Sequence, residues 1–577
     1  MENINDKIFN APVIKFEEYE YVRPELEDYK DKYQSQIDKL KEAKTADEAL
    51  DTFRKLQSYL AEYESYYTLA SIRNSVNTKD EFYEKEMEYI SETAPQLEEY
   101  LVEFKKALLE SPHRKILEDK LGSYLFKQYE SDLTTFSPEI IEDLAEENKL
   151  IIEHSKLISS CEKEYKGEKL NLTGLAKYTR SENRQERIDA QKLINEFFEE
   201  NEEKIDEIYD KLVKVRHRQA QKLGYENYIP LRYKQMGRFD YDKNDVANYR
   251  KQILEEIVPL AQDLIERQKK RIGIDDFNFV DESLQFKSGN AKPHGDKEWM
   301  LERARKMYKE LSPETDTFFK FMEERNLFDL DVKPGKSGGG YCTYIPKWRS
   351  PFIFANFNGT SHDVEVLTHE AGHAFQVFNS RDFGVLEYIW PGMESAEIHS
   401  MSMEFFTWPW MELFFEDEVE KFKFQHLQGA LLFLPYGALI DHFQHYVYEN
   451  PDATPKMRKE KFRELEKMYL PHRVYKDLRL LDDGGYFFKQ SHVFSSAFYY
   501  IDYTIAQVLA FQFWNKDRQN HEEAFQDYLR LCKAGGTKSF LQLVETANLE
   551  NPFKDGVIKK TVEHIKEYLN NVDDSKF

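Results

Sequence analysis

From about residue 25 to residue 270, apolar residues return at steps of three and four, and Gly and Pro are rare. This spacing puts the apolar side chains on one face of a helix and is typical of a succession of amphipathic helices. The same pattern resumes after residue 360 and continues to the end of the sequence, with breaks at residues 482–485 and 534–536. The sequence therefore predicts a mainly α-helical protein without a fixed-period repeat.

The chain length predicts more than one folding unit. At 577 residues the chain exceeds what one hydrophobic core usually supports, so two or more lobes packed on each other are expected. We interpret residues 1–190 as an N-terminal helical lobe and residues 191–577 as a second, larger region. No linker marks this boundary in the sequence.

One segment, residues 327–359, departs from the helical pattern. Its clustered glycines, prolines and aromatic residues predict an antiparallel hairpin of Tyr341–Ile345 and residues 352–357. The glycines at 338–340 lack the lysine and helix of a phosphate-binding loop, so we interpret them as turn residues. An exposed strand edge at residues 352–357 would suit main-chain pairing with an extended peptide.

The charge balance argues against two classes of partner. The chain has 81 Lys and Arg against 106 Asp and Glu, a formal net charge of −25, and the acidic residues are spread along its length. Such a surface repels phosphate backbones and anionic lipids, so neither nucleic acid nor a membrane is expected as a partner. No stretch reaches the roughly 18 continuous apolar residues of a membrane span.

The cysteines and the first residues of the sequence indicate the cellular compartment in which the protein is expected. Cys161, Cys342 and Cys532 lie far apart, and an odd number of cysteines does not form a complete disulfide set. A reducing compartment is therefore implied. The opening segment has neither the basic and apolar runs nor the cleavage site of a secretory signal. We therefore expect a cytoplasmic protein.

The sequence THEAGHAFQ, residues 368–376, indicates a metal site. Apolar residues around it predict a helix, on which His369 and His373 are four residues apart and about 40° apart in projection. Both imidazoles can therefore bind one metal ion, while Glu370 faces a water molecule without being a ligand. Catalytic zinc takes three protein ligands and keeps one position open. The motif predicts one zinc ion per chain, with Glu370 as a general base.

A third ligand is predicted in the next helical segment. Glu397 and Glu404 are seven residues, about two turns, apart on a mainly apolar helix and share one face. Carboxylates in such a position are costly to bury unless they meet a cation or a donor. We interpret Glu397 as the third ligand and Glu404 as the acceptor for the free N–H of a ligand histidine. Glu394 is the alternative third ligand.

Several phenols lie close together nearer the end of the sequence, in a helix predicted to begin near residue 495. Tyr500 and Tyr503 are three residues apart and Tyr499 and Tyr503 are four apart, so one face can present two hydroxyls. His492 comes just before them. Hydroxyl and imidazole groups can both stabilise a carbonyl oxygen that becomes an anion, although aromatic residues at this spacing also serve as core.

Four blocks of sequence resemble the zinc oligopeptidase family of thimet oligopeptidase, neurolysin and the bacterial oligoendopeptidase F and Pz-peptidase enzymes. The blocks are PFIFANFNGT, THEAGHAFQ, EIHSMSME and HVFSSAFYYIDY, in this order. The bacterial branch is the more similar. The resemblance implies a mainly α, two-lobed molecule with a deep central channel and zinc at its floor. The predicted antiparallel hairpin would then be a small β element beside the zinc-site helix.

The resemblance also implies roles for individual residues. His369, His373 and Glu397 match the zinc ligands of the family, and Glu370 matches its general base. His492, Tyr500 and Tyr503 match the region that supplies transition-state donors, with Tyr499 as an alternative to Tyr500.

The predicted function is zinc-dependent hydrolysis of internal bonds in short peptides, and the sequence does not predict an oligomeric state. Two alternatives stay open. Zinc carboxypeptidases and aminopeptidases use the same helix motif with a downstream glutamate. A helical peptide-binding or scaffold protein with an inactive metal site is the alternative from another class.

Overall fold

The computed structural model describes residues 13–577, and α-helices make up most of it. Residues 1–12 lie outside the described residues. They include most of the segment in which no secretory signal is predicted and the start of the predicted N-terminal lobe. Within residues 13–577, no helix combines the length and the apolar composition that crossing a membrane requires. The predicted fold class, mainly α with a small β element, is confirmed.

The N-terminal helices surround a core of their own. They are α1 (Leu26–Glu42), α2 (Ala46–Val76), α3 (Glu81–Leu109), α4 (Arg114–Leu121) and α5 (Ser123–Thr135). Their apolar faces bury residues such as Phe53 and Leu108 in a cluster that also includes Tyr388, which lies much later in the chain. The Tyr388 hydroxyl donates a hydrogen bond to the Leu121 carbonyl at 2.7 Å and so joins this core to the region of the predicted metal site.

The middle of the chain belongs to a second, larger core. Its elements are α6 (Ile141–Ser159), β1 (Lys163–Tyr165), β2 (Glu168–Leu170), α7 (Leu172–Tyr178), α8 (Arg184–Glu200), α9 (Glu202–Lys222), α10 (Tyr228–Gln235), α11 (Lys243–Gln252), a π-helical turn (Ile253–Ile257), α12 (Val258–Ile272), α13 (Lys297–Leu311) and α14 (Pro313–Glu324). Leu150 of α6 and Leu175 of α7 already lie in this second core. The boundary at residue 190 stays a prediction, and this distribution of core residues favours a boundary earlier in the chain.

Three strands form the β element beside the predicted zinc-site helix. They are β3 (Phe328–Asp331), β4 (Tyr341–Ile345) and β5 (Ser350–Phe357), in the order β3-β5-β4. β4 and β5 are antiparallel, as predicted, whereas β3 adds to β5 in parallel. β5 is therefore the central strand, and the prediction that residues 352–357 present a free edge is wrong. Among the described residues, β4 and β3 are the edge strands of this sheet.

The C-terminal half is helical again. Its helices are α15 (Ser361–Ser380), α16 (Met393–Phe406), α17 (Glu412–Phe415), α18 (Val419–Glu449), α19 (Pro455–Tyr469), α20 (Arg479–Asp482), α21 (Ser491–Ser495), α22 (Tyr500–Gln519), α23 (His521–Ala534), α24 (Phe540–Thr546) and α25 (Val557–Asn571). The breaks predicted at residues 482–485 and 534–536 are confirmed. The predicted helix start near residue 495 is wrong, because α21 ends there and α22 begins at Tyr500.

Candidate metal centre

Helix α15 contains the H-E-x-x-H motif, and its apolar face packs in the larger core. Val364, Leu367, Ala371 and Phe375 are buried on its apolar face. The helix begins beside β5, and the Asp363 carboxylate accepts hydrogen bonds from two backbone N–H groups just before the helix, at 2.6 to 3.0 Å. These bonds fix the first turn of α15 against the strand that precedes it, so the motif residues have a defined position.

The three predicted ligands converge in the structure. Glu397 Oε2 lies 3.3 Å from His369 Nε2 and 3.4 Å from His373 Nε2. One ligand atom from each of the three residues lies within 4.8 Å of the others. Two imidazole nitrogens and one carboxylate oxygen are a donor set that suits zinc and leaves a fourth position open. The residues present therefore fit a catalytic zinc ion.

A glycine allows this convergence. Gly372 lies between the two histidines on α15, where α15 crosses α16. A Cβ atom at this position would lie 2.6 Å from the His399 carbonyl oxygen and 2.7 Å from the Ser400 Cα atom. The two helix backbones therefore approach more closely than any other residue would allow. This contact sets the distance between the histidines of α15 and Glu397 of α16.

Charge and hydrogen bonding keep the Glu397 carboxylate ionised. Burial alone raises its pKa, but His373 and His369 outweigh that effect and hold the pKa well below its usual range. The Ser400 hydroxyl donates to Glu397 Oε2 at 3.0 Å, and the Tyr499 hydroxyl donates to Glu397 Oε1 at 2.8 Å. The carboxylate is thus held by neighbours on both of its oxygens.

Glu404 orients the first histidine of the motif. Its Oε1 atom lies 2.7 Å from His369 Nδ1, and its Oε2 atom lies 2.7 Å from His426 Nε2. The Trp408 indole N–H donates to His426 Nδ1 at 3.0 Å, so the proton of His426 is on Nε2 and faces the carboxylate. Burial raises the pKa of Glu404, but hydrogen bonds with the two histidines outweigh burial and lower it to about 2. An ionised Glu404 holds the proton of His369 on Nδ1 and leaves Nε2 able to bind a metal.

Glu370 lies between the two motif histidines in sequence and faces the sheet. The residue is buried, and a Cβ atom at Gly340, just before β4, would lie 3.7 Å from Glu370 Oε1. Burial raises the pKa of Glu370, and the neighbouring charges of His369 and His373 lower it only in part. A carboxylate with a raised pKa in such a place can accept a proton and release it again.

The alternative ligand Glu394 lies outside the converging group. It is buried on the first turn of α16, where the Tyr241 hydroxyl donates to its Oε1 atom at 3.4 Å. Burial and the nearby charge of Asp502 raise the pKa of this carboxyl, whereas Arg238 lowers it. Glu394 therefore belongs to a buried polar group behind the site.

The three candidate phenols have different surroundings. His492 lies against all of them, with ring centroids 5.7 Å from Tyr499, 5.1 Å from Tyr500 and 5.9 Å from Tyr503. The Tyr499 hydroxyl contacts Glu397, as described above, whereas the Tyr500 ring packs at 5.7 Å against two aromatic residues of α18. Burial raises the pKa of Tyr503, and the negative charges of Glu397 and Glu370 raise it further. The Tyr503 hydroxyl therefore keeps its proton and is near both acids.

Sequence reasoning missed two residues of this site. Gly372 was not recognised as a contact point, although a glycine inside a helix is a signal for a close approach. His426 is one histidine on the long helix α18, and no local pattern indicates that it would meet Glu404. Only the packing of α18 against α16 brings the two side chains together.

Comparisons with known families identify the family of this chain. The family model described as Peptidase M3 N-terminal domain matches residues 16–136, and the model described as Peptidase family M3 matches residues 177–563. The chain belongs to peptidase family M3. The resemblance found in the four sequence blocks is confirmed, and this member of the family is a hydrolase of peptide bonds with peptides as substrates.

Solved structures of three other proteins are similar over almost the whole chain. Pz peptidase A, solved with an inhibitor, is 48% identical with a TM-score of 0.94, covering 97% of this chain and 100% of that chain. Two structures described as oligoendopeptidase F are each 46% identical and cover 98% of this chain and 100% of theirs. Their TM-scores are 0.94 and, for the one from Bacillus anthracis strain Ames, 0.90. A comparison with curated protein sequences gives no match.

Proposed function

We propose that this family M3 peptidase is a zinc-dependent endopeptidase that cleaves internal bonds of short peptides. In this proposal His369, His373 and Glu397 hold one zinc ion, and Glu370 is the general base. The observation that carries it is the convergence of two imidazole nitrogens and one carboxylate oxygen next to a second, buried acid, Glu370. The name oligoendopeptidase F of two similar proteins supports the preference for internal bonds and short substrates.

The proton transfers are assigned to Glu370. When bound, zinc would lower the pKa of a water molecule and polarise the carbonyl group of the substrate. Glu370 is assigned to accept a proton from the attacking water molecule, whose oxygen adds to the carbonyl carbon. The raised pKa of Glu370 favours this first transfer, and the same carboxyl group then gives the proton to the leaving amine.

The phenols are assigned two separate tasks. Tyr499 donates to Glu397 and so holds that carboxylate in place. Tyr503 keeps its proton and donates to the oxygen that becomes negatively charged during attack, an interaction on the order of 3 kcal/mol in the barrier. His492 packs against both rings and orients them. Tyr500 packs against α18 and is assigned no direct contact with substrate.

The substrate backbone is assigned to the edge of β4. This strand begins beside Glu370, and among the described residues its outer edge pairs with no other strand. An extended peptide that adds to such an edge gains main-chain hydrogen bonds without strong dependence on its side chains. This arrangement would present a backbone carbonyl next to the general base.

The test is the variant Glu370→Gln, assayed on a peptide blocked at both ends. We expect it to bind one zinc per chain while turnover falls on the order of 10²–10⁴-fold, since the base is lost and the ligands remain. The matched control is Glu420→Gln, which makes the same chemical change at an exposed position on α18. Wild-type turnover by the first variant would refute the base assignment. Failure of the wild type to cleave the blocked peptide would refute endopeptidase activity.

A further inference from the structure

The turn that joins α21 to α22 contains an unfavourable backbone conformation. Phe498, the residue before Tyr499, has φ of +64°, a left-handed value that a bulky residue rarely adopts. Its ring is fully buried, against His445 and Tyr448 among others. A conformation of this kind persists only where the surrounding structure enforces it.

Three arginines donate hydrogen bonds to backbone carbonyls of residues 494–498, the end of α21 and the turn after it, and we call them the arginine cluster. The bonds run from Arg216 Nη2 to Phe494 O at 2.6 Å, from Arg232 Nε to Ala497 O at 3.1 Å, and from Arg238 Nη2 to Phe498 O at 2.7 Å. The arginines come from α9, α10 and the segment just after α10. They therefore reach the turn from a part of the chain more than 250 residues away.

Two further contacts complete the restraint on Phe498. Gln444 Oε1 on α18 accepts a hydrogen bond from the Phe498 N–H at 2.9 Å. Arg238 Nη2 also donates to Asp502 Oδ1 at 2.6 Å, and this ion pair is fully buried in the first turn of α22. Both polar groups of the Phe498 backbone are thus bound by side chains, and Arg238 ties the turn to the helix that follows.

The sequence of this turn contains no strong helix breaker. Residues 491–503 include neither Gly nor Pro, so no local helix breaker separates α21 from α22. In one continuous helix, His492 and Tyr503 would be about 16 Å apart along the axis. Their ring centroids are 5.9 Å apart. The side-chain hydrogen bonds replace helical ones and hold the chain in a fold that brings the imidazole against the phenols.

We propose that the arginine cluster positions Tyr499 and Tyr503 for the reaction by fixing the turn of residues 494–498. This inference rests on the proposed function, in which these two side chains act at Glu397 and at the developing oxyanion. The arginines are positioning residues, because the bonds that carry the inference are made to the backbone of the turn. Loss of one bond lets the turn relax toward a helical conformation and moves the phenols.

The first test is Arg232→Met. Arg232 is partly exposed and makes no ion pair within 4.0 Å among the described residues, so this variant removes the bond to Ala497 with the least risk to folding. We expect kcat to fall about tenfold with KM within about twofold of wild type, since a misplaced catalytic group slows chemistry more than binding. Zinc content should be unchanged, and Arg232→Lys should recover part of the loss. The matched control Arg303→Met removes an arginine-to-carbonyl bond on α13 and should keep wild-type kcat.

A double-mutant cycle with Tyr503→Phe separates this inference from the proposed function. If the arginine acts through the phenols, Arg232→Met costs clearly less in the Tyr503→Phe background than in the wild type. If the fall in kcat of the double variant equals the product of the falls in the two single variants, the two residues act independently and the positioning role is overturned. Wild-type kcat in Arg232→Met would also overturn it. Wild-type kcat in Tyr503→Phe would instead refute the role of Tyr503 as a hydrogen-bond donor to the oxyanion, and with it this inference. The assignment of the metal site and of Glu370 would not be affected, because Glu370→Gln tests it separately.

A second variant keeps the inference testable if Arg232→Met does not fold. Gln444→Met has nearly the same volume and removes the acceptor for the Phe498 N–H from the opposite side of the turn. It should show the same fall in kcat and the same coupling to Tyr503→Phe. Hydrogen exchange of a peptide covering residues 493–503 should be faster in either variant than in Arg303→Met. Unchanged exchange together with wild-type kcat would overturn the proposal.

Discussion

The contact of Gly372 with α16 leads to a quantitative prediction. A Cβ atom at Gly372 would meet the His399 carbonyl oxygen at 2.6 Å, and both close neighbours belong to the backbone of α16. No side-chain rotation can therefore relieve the overlap. An ordinary contact begins at 3.4 Å, so the two helices must separate by 3.4 minus 2.6, or about 0.8 Å, in Gly372→Ala.

That separation is large for a metal site. Ligand distances in metal centres are set to within about 0.2 Å, so a shift of about 0.8 Å takes Glu397 out of bonding reach of a metal held by His369 and His373. We expect zinc affinity to fall at least about tenfold, or about 1.4 kcal/mol. The added methyl group should also lower the free energy of unfolding of the zinc-free protein by about 1–3 kcal/mol.

The matched control is Gly429→Ala on α18. It makes the same chemical change inside a helix, but a Cβ atom there has no neighbour within 4 Å. This control should keep wild-type zinc affinity and gain about 0.5–1 kcal/mol of stability from the better helix propensity of Ala. Competition with a chromophoric chelator measures the affinity, and urea unfolding measures the stability. Equal affinity and stability of the two variants would refute the role assigned to the close approach.

Three further predictions concern single side chains. In Glu404→Gln, an amide N–H would face a histidine N–H, so zinc affinity should fall about 10–100-fold in the chelator assay; an unchanged affinity would contradict the orienting role. Burial lowers the pKa of His154 from 6.5 to about 4. Between these two pH values the folded state binds fewer protons than the unfolded state, so about 3 kcal/mol of the free energy of unfolding is lost as the pH falls from 6.5 to 4. His154→Phe should remove this contribution in urea unfolding at pH 7 and pH 4.5, and an identical pH dependence would contradict it. Tyr503→Phe should lower kcat about 10²–10³-fold with little change in KM, whereas a change in KM alone would indicate binding of the ground state.

Local patterns were sufficient to predict much of the fold and the candidate ligands. The four-residue spacing of His369 and His373 on an apolar helix depends only on helix geometry. The breaks at residues 482–485 and 534–536 follow from glycines, and Gly484 and Gly535 both have positive φ values. These features need no knowledge of the rest of the molecule.

Features that depend on distant contacts were not predictable from local patterns. β3 is only four residues long, and its parallel pairing makes β5 a central strand, which reversed the prediction for residues 352–357. α21 ends near residue 495 in a segment without Gly or Pro, where arginines from α9 and α10 donate hydrogen bonds to the backbone. His426 reaches Glu404 only because α18 packs beside α16. In each case a tertiary contact overrides or completes the local preference.

The central claim is that one metal ion is held by His369, His373 and Glu397. Anomalous diffraction at the zinc edge, from crystals of the protein supplied with one equivalent of zinc, tests it most directly. The account predicts a single peak per chain, about 2.0–2.2 Å from the two Nε2 atoms and from a carboxylate oxygen of Glu397. A peak elsewhere, or a metal that bonds the two histidines while Glu397 lies beyond reach and another residue replaces it, would contradict the account.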